Sequence, residues 1–259
     1  MKIPVFLRKE IREIFRTAKI YVLPGIFLFF GFGSPLLTKL TPELIRLAGE
    51  STAGIRIVPT AEPNALFAWQ QLLKNLGTGL FVIILLFMGS VLEEKVRGTA
   101  VLVLTKPVKR PEFIWAKFIA AVLLVSFSTL VATLACAYYT VILWPAAPEL
   151  NRGLAAVSLF FVYELFITAL TVLASTLAKN SMFAAGGAVA VHLLLSLLAS
   201  FGGRFTTYNP AGLMTLAGKL LASPATARLA DAGVGLTITL LTTVLLVQLA
   251  GWVFQREEL

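Results

Sequence analysis

The sequence predicts an all-α integral membrane protein with six transmembrane helices, and three observations carry that prediction. Of its 259 residues, 58% are apolar and only 14% are charged, against about 45–50% and about 25% in an ordinary soluble domain. Six long stretches carry at most one titratable residue, and each approaches the roughly 20 residues that cross a bilayer core. Runs such as residues 81–88 are apolar on every face, whereas the strands of a membrane β-barrel alternate apolar and polar residues.

The charged residues delimit the spans within one transmembrane domain covering residues 1–259. The predicted spans are about 20–37, 76–92, 113–144, 153–178, 180–203 and 232–255. Two longer segments, 38–75 and 204–231, connect spans on the side opposite the termini. The second contains a weakly apolar stretch ending at Leu221 that is too short to span, which predicts a re-entrant segment before the last span.

The distribution of basic residues predicts the orientation. Of the 22 Lys and Arg residues, 14 fall on the side of both termini and 8 on the other side. Because cytoplasmic loops carry the excess of Lys and Arg, we expect both termini in the cytoplasm. The expected location of this multi-pass protein is the plasma (inner) membrane of a prokaryote. The net charge of +9 is then a topology signal facing anionic membrane lipid, and it requires no nucleic-acid partner.

Residues 1–19 are predicted to form an amphipathic interfacial helix. The apolar stripe consists of Leu7, Ile11, Ile14, Phe15 and Ala18, and the basic face consists of Arg8, Arg12, Arg16 and Lys19. This spacing is that of a helix, and a helix with one basic and one apolar face lies in the membrane interface. Pro24 is expected to mark the bend into the first span.

The loop at residues 93–117, between spans two and three, carries the most specific pattern. Charged residues end at Gly98-Thr99, an apolar run follows at 101–104, and two prolines come next, at 107 and 111. Thr99 is a suitable N-cap for a short helix that begins at Ala100, and Pro107 ends it. The sequence therefore predicts a short apolar-sided helix parallel to the membrane. A loop that only orients spans two and three is the alternative.

The pattern of an acid, Gly-Thr, a Leu/Val run, Lys-Pro-Val-x-Arg, an aromatic residue and Lys117 resembles the first cytoplasmic loop of type-two ABC transporter permeases. The basic N-terminal helix, six spans and short segment before the last span fit the same family. The resemblance implies that the loop forms a coupling helix docked in a groove of an ATPase subunit. The residues implied in this contact are Glu93, Glu94, Arg97, Gly98, Thr99, Leu102, Leu104, Pro107, Arg110 and Lys117. It also implies an exporter built from two copies of the permease, with substrate passing along spans two and five, and two ATPase subunits.

The chain lacks the motif needed to hydrolyse ATP. The nearest match to Gly-x-x-x-x-Gly-Lys-Ser/Thr begins at Gly212, has five residues between its glycines and carries Leu220 in place of the hydroxyl residue. ATP and Mg²⁺ are therefore expected on the partner ATPase, with no cofactor on this chain. One His and one Cys supply no metal-ligand set. The outer segments carry no signature that distinguishes lipid, peptide, drug or ion as the substrate.

Glu164 and His192 are the titratable residues inside otherwise apolar spans. Each lies 11 residues from the end of its span, which places both roughly 16 Å deep, near the midplane. They either pair with each other or hydrogen-bond to Ser, Thr or Tyr neighbours, and a structural bond between spans is the preferred interpretation. The alternatives are a secondary transporter or channel that uses both residues, and an intramembrane protease with His192 and Ser175 or Ser196.

Overall fold

A computed structural model describes residues 3–51, 63–96, 98, 110–222 and 229–256, and every regular element in these ranges is an α-helix. The helices are α1 (Ile3–Arg16), α2 (Lys19–Ser51), α3 (Ala65–Phe87), α4 (Leu92–Val96), α5 (Arg110–Leu143), α6 (Leu150–Leu177), α7 (Ser181–Ser200), α8 (Arg204–Thr207), α9 (Gly212–Ala222) and α10 (Leu229–Arg256). Among them α2, α3, α5, α6, α7 and α10 are long and apolar enough to cross a bilayer. The predicted all-α membrane protein with six spans is confirmed.

The first two spans belong to longer helices than the charge-free stretches indicated. Helix α2 continues beyond residue 37 to Ser51, and α3 begins at Ala65 rather than near residue 76. The side chain of Asn64 caps α3 by accepting a hydrogen bond from the Phe67 N–H at 3.1 Å. Much of the outer segment 38–75 is therefore helical, because a charged residue such as Lys39 or Lys74 ends a charge-free stretch without ending a helix.

The expected bend at Pro24 lies elsewhere. Helix α1 ends at Arg16 and α2 begins at Lys19, so the chain turns at Thr17 and Ala18. Pro24 is buried inside α2. Because Pro24 lies near the start of α2, its missing N–H leaves only one backbone carbonyl without an intrahelical donor. The helix therefore continues past Pro24.

Helix α6 forms the centre of the bundle and packs against α3, α5, α7, α9 and α10. Trp69 of α3 is fully buried, and its ring lies against Gly153 of α6 so closely that a Cβ there has no space. The indole N–H of Trp69 donates to the Pro148 carbonyl at 3.2 Å, and that of Trp144 donates to the Pro63 carbonyl at 3.0 Å. These contacts join the loops at one end of the bundle.

The segment before the last span folds back along α7. Asn209 Nδ2 donates to the Leu195 carbonyl at 2.7 Å, and Thr206 Oγ1 donates to the Ala199 carbonyl at 2.8 Å. Helix α9 follows and packs against α3 and α6. Leu213 is one of the α9 side chains that are buried in this packing. A short apolar helix therefore exists where a re-entrant segment is predicted, and its depth in the bilayer stays a prediction.

Three aromatic rings bring the two terminal helices to the same end of the bundle. Phe6 of α1 lies edge-on to Phe113 of α5 at a centroid distance of 6.4 Å. Phe113 in turn stacks on Phe254 of α10 at 5.3 Å. We call this end, which holds α1, α4, the start of α5 and the end of α10, the inner end, and the opposite one the outer end. That the inner end faces the cytoplasm stays a prediction from the basic residues.

Candidate functional site

A buried ammonium group joins three separate elements at the inner end. The Nζ of Lys117, in α5, lies 2.6 Å from Glu94 Oε1 of α4 and 3.1 Å from Glu10 Oε2 of α1. The Lys117 side chain is only 3% exposed. Because a buried charge is stable only when it is paired and hydrogen-bonded, this contact fixes the relative positions of α1, α4 and α5.

A second lysine extends the cluster toward solvent. The Nζ of Lys9 lies 2.7 Å from Glu94 Oε1, 3.2 Å from Glu10 Oε1 and 3.8 Å from Glu13 Oε2. Burial alone lowers the pKa of Lys9, but the carboxylates of Glu10 and Glu94 outweigh burial and raise the pKa above its usual value. We call Lys9, Glu10, Glu13, Glu94 and Lys117 together the inner ion network.

The network is not arranged as a metal site. Carboxylate oxygens of Glu10, Glu13 and Glu94 lie within 4.8 Å of one another, close enough for one cation. The ammonium groups of Lys9 and Lys117 already contact these oxygens. Among the described residues this cluster is therefore an ion-pair network, and its role is to connect helices.

Helix α4 is also fixed to the end of α6. The backbone N–H groups of Val91 and Leu92 donate to Ser175 Oγ at 3.1 and 3.2 Å. Lys95 Nζ donates to the Thr176 carbonyl at 2.9 Å. The hydroxyl and the carbonyl both lie in the last turn of α6, where backbone carbonyls lack intrahelical donors. The first part of the loop is thus attached to the central helix.

The other end of the loop is attached to the last helix. Arg110 Nη1 donates to the carbonyls of Phe254 and Gln255 at 3.4 and 3.1 Å. These carbonyls belong to the last turn of α10, where a cation also interacts favourably with the helix dipole. Pro111 lies close to Gly251 of α10, since a Cβ added at Gly251 would be 3.2 Å from the Pro111 Cβ.

Between Lys95 and Arg110 the structure describes only Val96 and Gly98, and residues 110–117, predicted as part of the loop, belong to α5. Gly98 is exposed, its φ is +67°, and its N–H donates to the Lys95 carbonyl at 3.1 Å. This left-handed conformation favours glycine, and it lies two residues beyond the end of α4. Glu93 lies in α4, where its carboxyl packs against Gly89. The predicted contact residues Arg97, Thr99, Leu102, Leu104 and Pro107, and with them the predicted coupling helix, lie outside the described residues.

Glu164 and His192 have separate partners inside the bundle. Thr129 Oγ1 of α5 donates to Glu164 Oε2 at 2.6 Å, and the Tyr163 hydroxyl lies 2.8 Å from His192 Nδ1. Of the two alternatives, the structure favours hydrogen bonds to Thr and Tyr neighbours, because no ion pair joins the two in the part of the chain it describes. These bonds connect α5 to α6 and α6 to α7, as a structural role requires, and that role stays a prediction. Ser175, one proposed protease nucleophile, instead accepts hydrogen bonds at the inner end.

Sequence reasoning missed the partners of Glu94 and Lys117. Glu10 lies four residues from both Phe6 and Ile14, on the face of α1 that packs against the bundle. An acidic residue on this packing face, between two apolar residues, was the pattern in the sequence that could have indicated a buried ion pair. Ser175 and Thr176 carried no comparable signal, because hydroxyl residues near a helix end usually bond within their own helix.

The family model of the ABC-2 family transporter proteins matches residues 33–227. The chain belongs to this family. It is also similar to the uncharacterized transmembrane protein YxlG of Bacillus subtilis (strain 168), with 26% identity over 255 residues, covering 97% of this chain and 96% of the relative. The predicted family is therefore confirmed, and the protein is a multi-pass membrane permease of an ABC transporter, a component without catalytic activity of its own.

Proposed function

We propose that the protein forms the translocation path of an ABC exporter as a dimer and that two separate ATPase subunits drive it. The ATPases bind ATP and Mg²⁺ and dock on the loop at residues 93–117. Family membership supplies the permease role. The direction of transport, the dimer and the docking loop are the proposal.

The observation that carries the proposal is that both ends of this loop are fastened to several helices at once. Its first part is held by Ser175 and Thr176 of α6, and Glu94 joins α1 to α5. Its second part is held by α10 through Arg110. A simple connector between two spans requires none of these contacts.

The attachments give a mechanism for coupling. A displacement of the docked loop moves α4, and the short Glu94–Lys117 contact of 2.6 Å transfers that displacement to α5. Because Lys117 also holds Glu10, α1 moves with them. Packed interfaces of this kind shift as units rather than deforming continuously, so closure of two ATPases can change the access of the spans.

The exposed surface of α7, the fifth span, supports assembly with a second copy. Met182 and Phe183 are 84% and 73% exposed. A Cβ added at Gly186 or Gly187 would meet no atom of the described residues within 4 Å, whereas Ala188 packs inward. Small residues on an open face allow close helix approach in membranes. The proposed substrate path runs between two copies, along α3 and α7.

The test replaces Leu102 and Leu104 by Asp and measures whether a co-expressed ATPase remains bound. Both side chains are proposed to fill a pocket of the ATPase, and an unpaired buried charge typically costs about 3–5 kcal/mol. We expect the double variant to insert normally but to lose the ATPase during detergent purification. Permease-stimulated ATP hydrolysis and transport should disappear together.

A matched control places the same charges at Ile55 and Ile57, which have the same spacing in the outer segment. This control should retain the ATPase at the parent's yield. Retention by the Leu102/Leu104 variant, or a parent that captures no ATPase encoded beside it, contradicts docking through the loop.

A further inference from the structure

We propose that a groove at the inner end binds a single anionic phospholipid, with an acyl chain in the groove and the phosphate at Arg8 and Arg12. The groove encloses about 380 Å³, within the range of about 300–1,000 Å³ that is typical of small-molecule sites. It lies between α1 and α5, with Ile20 at the start of α2 closing one side. It is separate from the loop that is proposed to receive the ATPase.

The walls of the groove are almost entirely apolar. Ile11, Ile14 and Phe15 line it from α1, and Leu123 and Phe127 are among the α5 residues that line it. Phe15 is 64% exposed, Leu123 49% and Phe127 51%, so the described part of the chain leaves this surface uncovered. A hydrocarbon chain is the complementary ligand, because the free energy gained on contact is proportional to the apolar area it covers.

The dimensions of the groove match one leaflet of a bilayer. Lys117, in the inner ion network, marks the polar end, and Phe127 lies ten residues further along α5. At the rise of an α-helix this separation corresponds to about 15 Å, which is half of a hydrocarbon core about 30 Å thick. An acyl chain entering beside α1 would therefore reach the bilayer midplane near Phe127.

The charges at the rim select the headgroup. Arg8 and Arg12 are four residues apart and exposed, so they share a face of α1. Arg8 precedes Ile11 by three residues and Arg12 precedes Phe15 by three, a spacing that makes each arginine a helix neighbour of a groove-lining residue. Neither arginine forms an ion pair with any residue that the structure describes, and guanidinium groups bind phosphate through paired hydrogen bonds. Phosphatidylcholine also carries a phosphate, but its choline cation offsets that charge, so two exposed arginines without ion-pair partners among the described residues favour a lipid of net negative charge.

The test counts lipids retained by the purified permease, by native mass spectrometry after extraction from vesicles of equal parts phosphatidylglycerol and phosphatidylcholine. The parent should retain one phosphatidylglycerol molecule in preference to phosphatidylcholine. The double variant Arg8→Gln/Arg12→Gln should weaken that retention roughly tenfold, because each basic residue near the surface attracts anionic lipid. The charge-matched control Arg204→Gln/Lys219→Gln removes two exposed cations from the outer end and should retain the lipid as the parent does.

A second pair of variants tests the groove itself. Leu123→Trp fills it and should abolish retention, whereas Leu134→Trp adds the same ring to an exposed position of the same helix and should leave retention unchanged. Equal retention of both lipids by the parent indicates annular lipid only and overturns the proposal. So does retention by Leu123→Trp at the parent's level, or protection of the groove by a second copy of the chain without lipid. None of these measurements involves the ATPase, so failure here is distinguishable from failure of the coupling proposal.

Discussion

At the inner end, α1, α4 and α5 meet through five charged side chains, whereas the hydrogen bonds that join described helices and loops at the outer end are between neutral groups. Lys117 and Lys9 share the carboxylates of Glu10 and Glu94 within 3.2 Å. At the outer end, Trp69 and Trp144 donate to backbone carbonyls, and in the middle of α3 Asn75 Nδ2 donates to Ser34 Oγ at 2.9 Å.

The two ends differ in how much stability they lose when a single contact is removed. A buried ion pair is costly to break on one side only, because the remaining charge stays buried without a partner. Neutral hydrogen bonds contribute about 0.5–1.5 kcal/mol each, so their loss is gradual. We therefore expect the inner end to respond as one unit, as the proposed coupling to an ATPase requires, and the outer end to lose stability in smaller steps.

Labelling from the two sides of the membrane gives the largest effect, because it is all-or-none. Single cysteines at Thr105 and Ser51 in a Cys136→Ala background should react from opposite sides. Ser51→Cys, at the end of α2, should react with an impermeant reagent in intact cells, and Thr105→Cys should require permeabilisation. Labelling of both positions from one side would break the distinction between an inner and an outer end.

Removal of the Lys117 ammonium group should give the largest loss of stability. Lys117→Met removes the buried cation shared by Glu10 and Glu94 and leaves both carboxylates with Lys9, whose side chain is 40% exposed. Breaking a buried pair from one side costs about 3–5 kcal/mol, which is the upper bound for this variant. Thermal unfolding of the purified permease should show this loss. Lys219→Met, at an exposed position, is the control and should unfold like the parent. Adding Glu10→Gln to Lys117→Met should restore part of the stability, and an unchanged midpoint for Lys117→Met would mean that the network does not stabilise the fold.

A methyl group at Gly153 should cause an intermediate loss, and it sharpens the comparison by testing the outer end through packing alone. The Cβ of Gly153→Ala falls inside the volume of the Trp69 ring, and overpacking a core costs about 1–3 kcal/mol. Gly218→Ala in α9 has no neighbour within 4 Å among the described residues and should be neutral or slightly stabilising. Equal unfolding midpoints for the two variants would refute close packing at Trp69.

Neutralising Glu164 should have the smallest effect. Glu164→Gln keeps an oxygen that can accept the Thr129 hydroxyl, so we expect a change in stability below about 1 kcal/mol and retention of most transport. Loss of transport by an intact, thermally stable complex would show that the carboxyl group has a function beyond joining α5 to α6.

The number and type of the spans follow from the sequence because the bilayer itself imposes the pattern. A segment without charges and about 20 residues long has few alternatives to a membrane helix. Helix ends are less predictable, since the same signal, a charge, marks both the end of the hydrocarbon and an interface where a helix continues. Lys74 illustrates this ambiguity, because it lies in the middle of α3 rather than before it.

The sequence predicted the loop residues of the candidate site but not their partners. Glu94, Arg110 and Lys117 lie in a distinctive pattern, and the structure places all three in contacts that fix the loop. Their partners come from distant parts of the chain: Glu10 is separated from Lys117 by 107 positions. Such pairing depends on how the helices pack in three dimensions, and neither local spacing nor hydropathy records it.

The long separation between Glu10 and Lys117 also has a consequence for biosynthesis. The first helix leaves the ribosome with an acid on its packing face, and the lysine that pairs with it is 107 residues behind. At about 5–20 residues per second this delay is roughly 5–20 s. During that interval the first two spans are synthesised, and Glu10 of α1 has not yet met the Lys117 ammonium group with which it pairs. We therefore expect the Glu10–Lys117 contact to form late, after the start of the third span has left the ribosome.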